Sequence, residues 1–292
     1  MNLVSRFLYY CVILPISYLP FPVLYGISDF LYLILYKTFG YRKKIVLGNI
    51  QRSFPEKTAK EHMEICNKFY SHFCDLILES LKTFTISEKQ VQKRVVCKNP
   101  ELVNKYFDQK KSVIFAGGHI ANWEIFAVSI DKLIKHKTLG IYKPLSNKYF
   151  DGKMQKTRGR YGLTLVSTKK VSQVFEEEKN NLTASIFAID QSPSNPNSCH
   201  WMTFLNQDTG VLFGTEKFAK EYDQPVLYGR INKEKRGYYS FEFFETFPHP
   251  RETKPGEITE TVTRLLEKDI INTPEYWLWT HRRWKHKRPA GK

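Results

Sequence analysis

Acidic side chains are scarce. Asp and Glu total 29 against 45 Lys and Arg, which leaves a formal charge of +16 on 292 residues. Cysteine is scarce too: Cys11, Cys66, Cys74, Cys97 and Cys199 are odd in number and form no C-x-x-C pair. That spacing excludes a disulfide framework and a thiolate zinc site, and fits reduced, scattered thiols. Charge is missing from one long stretch, Phe7 to Tyr36, where Asp29 is the sole Asp, Glu, Lys or Arg. Internal repeats and low-complexity tracts are absent, as are the sequence patterns of the common RNA- and DNA-binding modules. With 42% of residues hydrophobic, the chain has ample material for a packed core and is not a disordered one.

The uncharged stretch divides the chain at about residue 36 into an apolar head and a strongly basic body. A bilayer core needs about 20 apolar residues, so the head is long enough to enter a membrane. Pro15, Pro20 and Pro22 interrupt it, which points to a kinked span or to two short helices lying partly in the interface. Two competing readings are a cleaved signal peptide with Gly26-Ile27-Ser28 at its end, and a buried helix pair of a soluble protein. "KTFGYRKK" follows the head, and the bias of short flanking loops toward positive charge places this side in the cytoplasm. The expected organisation is therefore a membrane-embedded segment over residues 1–36 and a cytoplasmic domain over 37–292. The domain ends in a basic tail, 280–292, that either meets lipid headgroups or stays disordered.

Thr58 to Glu61 reads as a capping box, and Ile65, Phe69, Phe73, Leu76, Ile77 and Leu81 then recur at helical spacing, predicting an amphipathic helix that ends near Lys82. From residue 112 short β-rich runs ("SVIFA", "TLGIY", "LTLVS", "ASIFAI", "PVLYGRI", "YYSFEFF") alternate with segments of helical character at 124–136, 148–161, 171–180 and 214–222. That alternation predicts an α/β fold with much of the sheet parallel. "SPSNPNS", 192–198, reads as an exposed loop.

The candidate chemistry lies in "GGHIANWE", residues 117–124, at the seam between a buried strand and a helix expected to begin near Asn122. In such sheets ligands bind beyond the carboxyl ends of the strands, where His119 would stand. Within one continuous helix His119 and Glu124 would point about 140° apart and not meet. If His119 lies in the loop before the helix, the Glu124 carboxylate can reach one imidazole nitrogen and leave the other for a substrate, the arrangement that deprotonates a hydroxyl. Each residue also has a plain structural reading: Asn122 as a helix cap, Trp123 as core, Glu124 as a partner of the helix dipole.

These residues resemble the late acyltransferases of bacterial lipid A biosynthesis, part of the wider group of glycerolipid acyltransferases that carry an H-x4-D/E motif. His119 and Glu124 match that motif, with Ala121 where the family typically has Gly. "SFPE" (53–56), "YKPLSN" (142–147), Arg158 and Gly162 in "RGRYG", "AIDQ" (188–191) and "PEYWLWTHRRWK" (274–285) extend the likeness over nearly the whole length and in the same order. The resemblance implies a mixed, mostly parallel sheet flanked by helices. It also implies transfer of a fatty acyl chain, without cofactor or metal, from a thioester on acyl carrier protein to a hydroxyl of a lipid A precursor at the inner membrane. His119 would be the general base and Glu124 its orienter, with Asn122, Lys143, Arg158, Asp190 and Gln191 as substrate-binding candidates. Arg158 reads equally well as a solvated charge, and Asp190-Gln191 as the end of a strand. The basic body suits anionic partners, namely carrier protein, acceptor phosphates and membrane lipids. Other readings are acylation of a glycerolipid or amino-acid lipid, a thioesterase, and a non-enzymatic basic tether that binds nucleic acid.

Overall fold

The computed structural model describes residues 2–289. The head forms two bent helical arms. The first comprises α1 (Asn2–Phe7), a π-helical segment (Leu8–Ile13) and α2 (Leu14–Tyr18). The second comprises α3 (Phe21–Tyr32) and a second π-helical segment (Leu33–Thr38). Leu19 and Pro20 between them are extended, as the residue before a proline tends to be, and the arms bend by 120° there. Pro22 sits instead in the first turn of α3, where a missing N–H costs nothing, whereas Pro15 lies within the first arm, whose helical backbone runs on through Ile13 and Leu14 from the π-helical segment. No single helix among the described residues is long and apolar enough to cross a membrane; the bent pair passes that test only together, by length and composition.

Helices α4 (Lys43–Ser53), α5 (Ala59–Lys82) and α6 (Glu88–Arg94) lead to strand β1 (Val95–Cys97). The chain then alternates: α7 (Pro100–Asp108), β2 (Val113–Gly117), α8 (Trp123–Ser129), β3 (Lys137–Tyr142), α9 (Lys148–Arg158), β4 (Thr164–Ser167), α10 (Val171–Glu177) and β5 (Thr183–Ala188). A two-stranded antiparallel ribbon, β6 (His200–Phe204) and β7 (Gln207–Val211), follows. After it come α11 (Gly214–Tyr222), the hairpin β8 (Val226–Lys235) and β9 (Tyr238–Phe247), and α12 (Glu257–Asn272). The seven-stranded sheet has the order β1-β9-β8-β2-β5-β3-β4. Its pairs are parallel except at the β8–β9 hairpin, so the expected mixed and mostly parallel sheet flanked by helices is present. The six runs read as strands fall on β2, β3, β4, β5, β8 and β9. Neither α12 nor the ribbon is announced by the pattern.

Strand β2 lies at the centre. Ile114 and Ala116 face the larger apolar cluster, with Phe69 and Leu266, while Val113 and Phe115 face a second one with Val103 and Tyr106. Burial on both faces is why the strand reads as an unbroken apolar run. Helix α5 starts on the anticipated capping box: Thr58 Oγ1 accepts from the Glu61 N–H at 3.3 Å, and a Glu61 carboxylate oxygen accepts from the Thr58 N–H at 2.7 Å. The same helix also buries His72, Asp75, Glu79 and Lys82, which apolar periodicity does not disclose.

The head packs against α5. Lys82 Nζ donates to the carbonyls of Ser17 and Leu19, both at 2.9 Å, and so satisfies the open end of α2 at the bend. Ser28 donates to Asp75 at 2.8 Å. Phe21 and Tyr36 belong to the same apolar cluster as the body, so residue 36 is a change of composition and not a packing boundary. The outer side of the head is apolar: Leu3, Phe7, Tyr18, Phe30, Leu33 and Phe39 are all exposed.

The described part of the basic tail packs on the body. Trp277, Trp279 and Arg283 are buried, Trp284 donates to Thr209 on the ribbon, and Arg288 pairs with Asp208. The last part of the anticipated tail, residues 290–292, lies outside the described residues.

Candidate active site

The parallel register places the site. Gly117 at the end of β2 pairs with Ala188 at the end of β5. Two residues beyond this pair stand His119 and Asp190, side by side at the carboxyl edge of the sheet. Asp190 accepts two hydrogen bonds from His119, one from Nδ1 at 2.6 Å and one from the backbone N–H at 2.7 Å. The indole N–H of Trp277 adds a third at 2.8 Å. The imidazole is 17% exposed and the carboxylate 3%. Burial favours the neutral imidazole, but the Asp190 charge and its hydrogen bond outweigh this and raise the His119 pKa above its usual 6.5. For Asp190 burial acts upward, while His119 and the Trp277 bond pull it down to about 2. Asp190 is thus anionic at any ordinary pH.

This geometry corrects the expected pairing. His119 does lie in the loop before α8, yet the carboxylate on its Nδ1 comes from Asp190 and not from Glu124. Glu124 turns to Arg158, which grips it with two bonds, Nε to Oε2 at 2.8 Å and a terminal nitrogen to Oε1 at 2.6 Å. Trp123 Nε1 also donates to Glu124, at 3.2 Å, and its ring packs edge-on against His119 with centroids 5.0 Å apart. Glu124 and Arg158 thus form a partly buried ion pair, joined to the histidine through the Trp123 ring. Arg158 is 22% exposed and is not a solvated surface charge.

The other candidates separate. Gln191 lies over the second imidazole nitrogen, its amide 3.3 Å from Nε2. With Nδ1–H committed to Asp190, Nε2 carries the lone pair and the Gln191 N–H donates to it. Lys143 is exposed on the loop after β3, at the same sheet edge but two strands away, and its ammonium meets no carboxylate among the described residues. Asn122 does not face a ligand: it is fully buried, its Oδ1 accepting from Ile125 N–H as the cap of α8 and its Nδ2 donating to Glu79. The plain reading as a helix cap is the correct one for Asn122. Trp277 stands in "PEYWLWTHRRWK" with no sign of a role there, because no local signal ties an indole to a carboxylate 87 residues away. Among the described residues no group of three or more His, Cys, Asp or Glu is placed to hold a metal ion.

The glycines of the loop answer to space. Neither has positive φ. A Cβ on Gly117 would come within 2.9 Å of the Gly229 carbonyl oxygen in β8, and one on Gly118 would meet Leu266 at 2.5 Å and Asp190 at 3.2 Å. The left-handed residue is Ala121, with φ +52°. Its carbonyl accepts from His72 Nε2 at 3.1 Å, and its N–H donates to the Tyr276 carbonyl at 2.9 Å. The His72 ring is neutral, as this bond allows, since burial and the neighbouring Lys233 lower its pKa to about 3, and Lys233 donates to Nδ1 at 3.1 Å. A left-handed non-glycine residue costs about 1–2 kcal/mol. Ala121→Gly relieves that strain but gives up a buried methyl, about 0.8 kcal/mol, and adds about 0.5–1 kcal/mol of unfolded-chain entropy, so the thermal midpoint should stay within about 2 °C of the wild-type value in calorimetry.

The sequence profile described as bacterial lipid A biosynthesis acyltransferase matches residues 2–286. The chain is 22% identical over 279 residues to the lipid A biosynthesis lauroyltransferase of Escherichia coli (strain K12), covering 94% of this chain and 88% of that protein. It is 20% identical over 278 residues to the lipid A biosynthesis palmitoleoyltransferase of the same organism, with the same coverage. It is 20% identical over 271 residues to a lipid A biosynthesis acyltransferase of Haemophilus influenzae (strain ATCC 51907 / DSM 11121 / KW20 / Rd), covering 91% of this chain and 86% of that one. With the family profile spanning nearly its whole length, the chain is an acyltransferase and belongs to the bacterial lipid A biosynthesis acyltransferase family.

Proposed function

We propose that the protein moves a fatty acyl chain from acyl carrier protein to a hydroxyl of a lipid A precursor at the cytoplasmic face of the inner membrane, with His119 as general base. The observation that carries this reading is the His119–Asp190 contact. It fixes the tautomer with the free lone pair on Nε2, the nitrogen that must take the hydroxyl proton, and it compensates the imidazolium that results. The acceptor hydroxyl would replace the Gln191 amide at Nε2 and attack the thioester carbonyl. As the carbonyl oxygen gains charge it needs donors. Arg158 spends two of its five N–H groups on Glu124, which leaves the others for that oxygen. Collapse of the intermediate expels the thiolate, which recovers the proton from His119, and no covalent acyl-enzyme is needed.

Access from a membrane is supported by the head. Its first arm lies on α9, the helix that ends at Arg158: Asn147 donates to Ser5 at 2.9 Å and Lys153 to Tyr10 at 3.4 Å. The exposed apolar side chains of that arm thus belong to an element packed on the helix that carries Arg158, with Lys37 at the end of the second arm and Arg42, Lys43 and Lys44 after it as partners for anionic headgroups. A hairpin bent at Pro20 and held there by Lys82 suits insertion into one leaflet.

The base requires a neutral imidazole, and the raised His119 pKa sets where that form appears. Activity should rise with pH through the folded-state pKa, so the acid limb of kcat/KM has its midpoint above 6.5, and a midpoint below that value would contradict the role assigned to Asp190. In the cell, loss of the gene should leave lipid A molecules lighter by one acyl chain in mass spectra. Unchanged lipid A together with an altered glycerolipid would move the acceptor to another lipid class.

A further inference from the structure

We propose that Glu79 is a positioning residue for acyl transfer, linking the seating of the amino-terminal hairpin to the loop that carries His119. The inference rests on the reading of His119 as the base and extends it to a residue on α5 that no motif marks.

Glu79 is 3% exposed and touches both parts of the molecule that must cooperate. Its Oε2 accepts from Asn122 Nδ2 at 2.6 Å and from the Tyr239 hydroxyl at 2.7 Å, while Oε1 accepts from the Tyr25 hydroxyl on α3 at 3.0 Å. All three donors are neutral, and no Lys or Arg hydrogen bonds to it among the described residues. A buried carboxylate without a cationic bonding partner is a costly way to fill space. Burial accordingly pushes its pKa up, against the pull of the Tyr239 and Asn122 bonds. What the carboxylate supplies is polarity that admits one arrangement. Asn122 has a donor end and an acceptor end of equal size. With Asn122 and the Tyr239 hydroxyl both donating to Oε2, the Nδ2 end of Asn122 faces α5 and its Oδ1 end faces the Ile125 N–H, at 2.9 Å. That cap begins α8, which carries Glu124 and through it Arg158. On the other side, Tyr25 belongs to the arm whose outer face is apolar. Two further residues of α5 mark out the same connection: Lys82 holds the bend of the hairpin, and His72 holds the Ala121 carbonyl in the loop.

Glu79→Gln keeps the size but leaves a single acceptor oxygen for three donors, so its NH₂ must face at least one of Tyr25, Asn122 and Tyr239 and that contact is lost or reversed. Asn122→Asp alone places two carboxyl groups against each other. Together the substitutions restore one hydrogen bond with donor and acceptor exchanged. The amide introduced at position 79 gives to the carboxylate introduced at position 122, whose other oxygen still caps α8, and the Tyr239 hydroxyl can rotate to accept. The test is steady-state acylation of a lipid A precursor by the purified full-length protein in phosphatidylethanolamine and phosphatidylglycerol vesicles. Each single substitution is expected to lower kcat by about tenfold or more, with the acceptor KM nearly unchanged, as for a misplaced group remote from the substrate. The double variant should recover most of that loss. Tyr25→Phe should lower kcat in the same direction and add little to Glu79→Gln, because the two share one contact. A folded Glu79→Gln protein with wild-type kcat, or a double variant no better than its worse parent, overturns the proposal. If Glu79→Gln does not fold, Tyr25→Phe decides: unchanged kcat overturns the link to the hairpin. His119→Ala run alongside separates the two levels, since an active His119→Ala sinks the base assignment itself, whereas an inactive one beside a fully active Glu79→Gln removes only the role of Glu79.

Discussion

Asp190→Asn should reduce kcat for acyl transfer on the order of 10³- to 10⁴-fold, the scale seen when a histidine base is left in the wrong tautomer. The aspartate accepts three hydrogen bonds, from His119 Nδ1, the His119 N–H and the Trp277 indole. Asparagine has a single acceptor oxygen. Its NH₂ group must face at least one of these donors, and the simplest relief is for the imidazole to move its proton to Nε2. That form cannot take a proton from the acceptor hydroxyl. The substitution also removes the larger of the two charges that raise the His119 pKa, leaving burial and Arg158 to lower it against Glu124 alone, so any residual activity should show an acid limb displaced to lower pH. Glu124→Gln is a sharp control. An amide can keep one of the two bonds to Arg158, and since Asp190 is the larger influence on His119, the limb should move less. A pH profile in which Glu124→Gln shifts the limb and Asp190→Asn does not would restore the pairing suggested by the H-x4-E spacing alone.

That spacing shows where sequence reasoning stops. Local signals suffice for β2, the turn after it, the start of α8 at Asn122 and the capping box of α5, because each is decided by a few neighbouring residues. The parallel character of the sheet, and with it a carboxyl edge for the site, follows from the alternation of strands and helices. The carboxylate on His119 is another matter. It depends on the register of β2 against β5, and the contact joins residues 71 apart in sequence. "AIDQ" stands out as a block near the site, but nothing in either segment states that Gly117 pairs with Ala188 and not with a neighbour. Glu124, five positions from His119, is the nearer candidate in sequence and the wrong one in space. The buried polar face of α5 is illegible for a related reason: His72, Asp75, Glu79 and Lys82 interrupt the apolar pattern, and their partners lie in the head, the loop and β9. Ala121 is visible as a departure from the family's glycine, while its left-handed φ belongs to the backbone.

His119→Ala tests the central claim most directly. The imidazole is partly exposed at the sheet edge and its loss leaves Asp190 with two of its three donors, the His119 backbone N–H and the Trp277 indole, so the fold and the packing of the amino-terminal hairpin should persist. The chemistry should not. Removal of a general base costs about 10²- to 10⁴-fold in rate, and the neighbouring His281 already accepts from the Ser192 N–H with its Nε2. Combined with Asp190→Asn the loss should be little greater than for His119→Ala alone, because the two act as one unit. The measurement is transfer of the acyl chain from acyl carrier protein to a lipid A precursor by purified wild-type and His119→Ala proteins, read as product mass, with circular dichroism to establish that both are folded. The account predicts a product one acyl chain heavier for the wild type and almost none for the variant; a folded His119→Ala protein that acylates the precursor at near the wild-type rate would contradict it.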